Sequence, residues 1–172
     1  MPDQESTLKT LCEQMLDTLR QIQPSISPNE QKRLMRGFMA DMYQLGLLTL
    51  RTAVLRQSPI VAQWISASRP LIERNLTGIV VYVANTEESI PDALEYGGWA
   101  GICEHRSALE FLFDFFQGAQ PGLTYDVLGL DTLDEELHKF AFDGYIEPDR
   151  VPTSIPHSHW WWYPDEVTDG SV

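Results

Sequence analysis

Cysteine is scarce in this chain of 172 residues: Cys12 and Cys103 stand far apart, and there is no CxxC pair. That excludes a disulfide framework, and Cys12, on an apolar helical stripe, reads as core. Long apolar runs are missing as well. The longest candidate, Leu45 to Leu55, is interrupted by Gly46, Thr49, Arg51 and Thr52, well short of the roughly eighteen residues that mark a membrane span. The opening MPDQES has neither the basic region nor the apolar stretch of a secretory signal, so a cytoplasmic location is expected. Catalytic signatures are also absent: no Walker loop, GxGxxG, HExxH, GxSxG or EF-hand loop occurs. The glycine-rich Tyr96-Gly97-Gly98-Trp99-Ala100-Gly101 carries no lysine for phosphate and reads as a tight backbone crossing.

Basic side chains are what the second half lacks. Residues 78–172 contain three, Arg106, Lys139 and Arg150, against eighteen carboxylates, whereas residues 1–77 hold nine against seven. A field of that sign repels phosphate backbones and anionic lipid and attracts basic surfaces. Direct nucleic-acid binding and membrane association are therefore disfavoured, and a basic protein partner is expected. The apolar share of 43% and charged share of 22% are those of a folded chain long enough for one domain with its own core.

The pattern of what is present is mostly helical. Leu8, Leu11, Met15, Leu16, Leu19 and Ile22 collect on one helical face, capped by Ser6 or Thr7 and stopped by Pro24. Ser27-Pro28-Asn29-Glu30 is a helix start, with an N-cap serine, a proline in the first turn and a glutamate completing a capping box. The apolar residues that follow, from Leu34 to Val54, are too many for one stripe and suit a central helix; Gly37 and Gly46 within it suit close packing. Ser58-Pro59 repeats the device for a third helix, with Val61, Trp64 and Ile65 inward and Pro70 breaking or kinking it. Residues 1–77 thus predict an antiparallel helical bundle.

Residues 78–172 predict an acidic α+β region. Gly78-Ile79-Val80-Val81-Tyr82-Val83-Ala84 is β-branched and reads as a strand, with Trp99–Ile102 or Tyr125–Leu128 as weak pairing partners. Two further helices follow. One runs over 104–117 with Leu109, Leu112, Phe113 and Phe116 on a face and Gly118 as terminator, and one is opened by the box Thr132-Leu133-Asp134-Glu135 and ended by Gly144. Prolines 148, 152, 156 and 164 then impose an extended, Pro/Trp-rich strap. The fold class expected is α+β, helix-dominated, in one compact domain overall.

Three roles suit the segment SIPHSHWWWYP at 154–164. As a strap it seals a core, since three tryptophans hold too much apolar area to leave in water. As a hook it presents Trp160, Trp161 and Trp162 to a partner; alternation along an extended strand would put Trp160 and Trp162 on one side and Trp161 on the other. As chemistry, His157 and His159, with Glu104 and the neighbouring Cys103, His105 and His138, offer zinc-compatible ligands without any paired spacing. The expectation is a non-enzymatic interaction module: an assembly factor, adaptor or inhibitor without a cofactor. Asp134, Glu135 and Glu136 join the tryptophans as its partner-binding residues. The alternatives are a small metal- or carboxylate-dependent enzyme using His157, His159 and Glu104, and a structural homo-oligomer joined through the N-terminal helices.

Overall fold

The computed structural model describes residues 2–95, 98–117 and 123–167, and every regular element among them is helical. Helix α1 (Pro2–Gln21) lies against α2 (Pro28–Arg51) and α4 (Pro59–Arg74), with the single turn α3 (Ala53–Arg56) between the last two. Of the expected stripe Leu8, Met15, Leu19 and Ile22 are buried, with Cys12 beside them, while Leu11 and Leu16 are partly buried. Ser27 caps α2 as expected, its Oγ accepting from the Glu30 N–H at 3.2 Å. The reciprocal half of the box does not form, because the Glu30 carboxylate turns to the Arg33 guanidinium at 2.5 and 2.9 Å. Ser58 caps α4 in the same way, accepting from Val61 N–H at 3.3 Å. Ser6 and Thr7, expected as caps, lie inside α1, where Thr7 Oγ1 donates to the Asp3 carbonyl. Helix α4 also runs on through Pro70 to Arg74.

The α+β expectation is overturned. Among the described residues there is no strand, and the stretch read as one is helix α5 (Leu76–Glu88). Its β-branched residues argued for a strand, but strand propensity is a statement about fit to a half-buried surface and yields to packing. Leu76, Ile79, Val80 and Val83 also carry i, i+3, i+4, i+7 spacing. In the fold Ile79, Tyr82, Val83 and Thr86 are buried while Val81 is 40% exposed. The two proposed partner strands are likewise helical: Trp99–Ile102 is the first turn of α7 (Trp99–Phe116), and Tyr125–Leu128 is the single turn α8.

Helix α7 begins five residues before the expected start. It is the axis of the molecule: twelve of its eighteen residues are buried, too many for one face. Helices α2, α4, α5, α6 (Ile90–Glu95) and the C-terminal segment all pack on it. The terminator expected at Gly118 lies outside the described residues. Helix α9 (Leu130–Ala141) also starts earlier than its supposed box, directly after Gly129, whose left-handed backbone (φ +73°) joins it to α8. Thr132 is therefore inside the helix, and its first-turn acid is Asp131 rather than Asp134–Glu136. Buried residues from Leu8 to Trp162 form one continuous cluster.

The two glycines of α2 do different things. Phe111 of α7 occupies the space beside Gly46, where an added Cβ would fall 2.0 Å from its ring, whereas nothing lies within 4 Å of a Cβ at Gly37. Gly37→Ala is expected to stabilise the protein by about 0.5–1 kcal/mol through helix propensity. Gly46→Ala gains the same propensity but forces α2 and α7 apart, for a net loss of about 1–2 kcal/mol. Urea unfolding of the two variants should show opposite signs.

Candidate functional site

The densest polar cluster is built around α7. Arg106 is 1% exposed, yet its guanidinium is fully engaged. Asp134 of α9 accepts from Nε at 2.6 Å and from Nη2 at 2.9 Å, and Glu110, one turn along α7, accepts from Nη1 at 2.8 Å. Tyr125 of α8 hydrogen-bonds Glu110 and approaches Nη2 at 3.4 Å, while the Trp161 ring lies 4.2 Å from the guanidinium carbon. Burial by itself would lower the arginine pKa, but the Asp134 hydrogen bonds and the charges of Asp134 and Glu110 outweigh it and raise it. The cation is thus locked in the charged form by two carboxylates and a π face.

The next residue of α7 is Ser107, fully buried. Both the Trp161 and Trp162 indoles donate to its hydroxyl oxygen at 2.9 Å, and His159 Nδ1 lies 3.1 Å away. A hydroxyl has two lone pairs and one hydrogen. With both lone pairs taken by indole N–H groups, the hydrogen goes to His159, which makes Nδ1 an acceptor and leaves the proton on Nε2. A serine whose hydroxyl is saturated in a dry interior is a structural knot, not a nucleophile. Two further bonds tie the same strand of tail to α7: Trp99 Nε1 and Cys103 Sγ each donate to the Trp161 carbonyl at 3.0 Å.

The tail itself is not extended. Two 3-10 turns, Pro148–Arg150 and Trp160–Trp162, and the short helix α10 (Pro164–Val167) interrupt it. A 3-10 turn rotates each residue by about a third of a circle, so strict alternation fails. Trp161 and Trp162 are both buried at 2% exposure and Trp160 is half-buried. Burying two indoles contributes on the order of 5 kcal/mol each before ordering costs, and this attaches the strap.

The residues singled out from sequence scatter. Asp134 belongs to the Arg106 cluster, Glu136 pairs with Lys139, and Glu135 is exposed. The four histidines have four separate neighbours. His105 meets the Tyr82 hydroxyl, His138 stacks on Trp160 at 3.8 Å, His157 stacks on Tyr163 at 4.3 Å near Glu166, and His159 meets Ser107. Glu104 is exposed, with Arg150 near enough to influence it. Among the described residues no three His, Cys, Asp or Glu side chains converge in metal-binding geometry, and no helix is long and apolar enough to cross a membrane.

Sequence reasoning passed over Phe142 and Tyr145, which are 78% and 68% exposed just past α9. Asp143, Glu147 and Asp149 around them are exposed too. Phe142 follows the helix's apolar stripe without a partner, a signal visible only once the helix end at Ala141 is known. Nearby, the Lys139 ammonium feels Glu136, Glu135 and, from α5, Glu87, all of which raise its pKa.

Two measurements check this description. Arg106→Leu should cost about 3–5 kcal/mol in urea unfolding, because Asp134 and Glu110 keep their charges without a partner; adding Asp134→Leu should restore part of the loss. Burial lowers the His159 pKa from 6.5 to about 4, with Glu110 opposing and Arg106 assisting. The unfolded chain therefore takes up this proton near pH 6.5 while the folded chain waits until about pH 4. Stability from this group is complete above pH 6.5 and falls as pH drops towards 4. The advantage of wild type over His159→Asn should accordingly shrink by up to about 3 kcal/mol between pH 7.5 and 4; parallel pH profiles would contradict it. No protein-family model, curated protein or solved structure matches this chain.

Proposed function

We propose that the chain is a non-enzymatic protein-interaction module, acting as an assembly factor, adaptor or inhibitor, whose acidic C-terminal half binds a basic protein surface. The observation that carries this reading is the exposed pair Phe142 and Tyr145 set among exposed Asp143, Glu147 and Asp149. Aromatic anchors within a charged rim are the usual anatomy of a recognition patch. The charge balance supports it. Of the three basic side chains in residues 78–172, Arg106 is consumed inside and Lys139 is paired with Glu136. Little of the surface carboxylate charge is therefore cancelled, and the field reaches solvent. The recognition residues are best sought at Phe142, Tyr145 and Glu135 and at half-buried Trp160, rather than at Trp161 and Trp162, which the fold already uses.

The test is capture of a partner with immobilised wild-type protein and with Phe142→Ser/Tyr145→Ser. A basic partner should be held at low salt and released as salt rises, since exposed charges are screened over about 8–10 Å at physiological ionic strength. The double variant should keep its melting temperature, both side chains being exposed, and lose at least tenfold in affinity. An acidic partner, or binding indifferent to salt, would refute the electrostatic account.

A further inference from the structure

The opposite character appears between α2 and α5. Two adjoining cavities open there, of about 330 and 510 Å³, sharing Lys32, Met35, Gly78 and Val81 in their walls. Both are of the size that holds a small organic ligand. In a chain with 25 carboxylates and 12 basic residues, no acidic side chain among the described residues lines either cavity, whereas Lys32, Arg36 and Arg74 do. Arg74 is committed, donating to the Leu19 and Ile22 carbonyls at 3.1 Å and closing the end of α1. Lys32 and Arg36 are not: one helical turn apart on α2, both are exposed, and no described carboxylate lies within ion-pair distance of either. Their neighbour Arg33, by contrast, is paired with Glu30.

The two cavities differ in chemistry. The smaller is mixed, its wall joining Met35 and Val81 to the two cations, Asn85, Thr86, Ser89 and the hydrogen-bonded pair Tyr82–His105. The larger is mainly apolar, with Ile22, Pro24, Pro28, Met35 and Val81. Gly78 belongs to both walls, and a Cβ there would come 3.2 Å from the Met35 methyl.

We infer that this groove binds a small organic anion bearing an aliphatic tail, its head group held between Lys32 and Arg36 and its tail in the apolar cavity. The charge arrangement selects the head: Lys32 and Arg36 are exposed and without a described carboxylate partner, so their charge is available to an anion, and no described acidic side chain in the walls competes for them. Carboxylate and phosphate heads share this chemistry. The Tyr82 hydroxyl and His105 provide neutral hydrogen-bonding groups beside either, since surrounding protein and the Arg36 charge lower the His105 pKa and keep its ring neutral.

The test is titration calorimetry of the full chain with octanoate, octyl phosphate, octylamine, octanol and inorganic phosphate. At least one of the two anionic amphiphiles should bind at about 1 mM or tighter, at least tenfold better than octylamine, octanol and inorganic phosphate. Which of the two binds better distinguishes a carboxylate from a phosphate ligand. Lys32→Gln/Arg36→Gln should lose at least tenfold in affinity with an unchanged melting temperature, because both side chains are exposed. The inference is overturned if neither anion binds in that range, if octylamine or octanol binds as well, if inorganic phosphate alone matches octyl phosphate, or if the double variant binds as wild type does.

Discussion

Arg106 is the constraint around which the C-terminal half is arranged. A guanidinium at 1% exposure is tolerable only when its charge and its donors are met. Here they are met by parts of four segments: its own helix through Glu110, α9 through Asp134, α8 through Tyr125 and the strap through the Trp161 ring. Each segment's position is therefore conditional on the others. The cluster sits on α7, itself the helix on which α2, α4, α5 and α6 pack, so a displacement there would be felt in both halves of the chain. Such a cluster contributes specificity of arrangement more than net stability, since the desolvation of three charges offsets much of their attraction.

The strap completes this arrangement with a different chemistry. Apolar burial of Trp161 and Trp162 provides the attraction, and Ser107 resolves the polar remainder by accepting both indole N–H groups and donating to His159. An indole N–H buried without an acceptor would cost about 1–3 kcal/mol, so one small hydroxyl makes two large rings admissible. Spending Arg106 and Ser107 inside also shapes the outside. The acidic half loses a cation from its surface, while α2 keeps Lys32 and Arg36 beside a groove lined by no carboxylate among the described residues. The molecule is consequently polar in the large sense, acidic over one half and locally cationic between α2 and α5.

Some of this was readable from local pattern. The starts of α2 and α4 follow from Ser27-Pro28 and Ser58-Pro59, because a cap is satisfied by neighbours three residues away and needs nothing else. The stripe of α1 was equally plain. The failures came where two local readings competed. Residues 79–84 have strand propensity and helical periodicity together, and only the surfaces of α2, α7 and α9 made the helix the better burial. Prolines in the tail excluded a regular helix but did not specify 3-10 turns, so the wrong tryptophan was placed outward.

The candidate sites divide along the same line. Net charge and its division between halves are sums over residues, independent of conformation, and the sequence alone settled them. The N-caps at Ser27 and Ser58 were settled in the same way, as was the need to bury tryptophan surface. Which charges remain on the surface is a matter of tertiary pairing. Asp134 was expected among the partner-binding residues and became half of a buried ion pair, while Phe142, which the sequence reading passed over, was left in solvent. The groove beneath Lys32 and Arg36 joins residues from Ile22 to His105 that no spacing rule relates. Local sequence determines what each segment needs; long-range packing alone decides which of those needs are met by the chain itself and which are left for a partner.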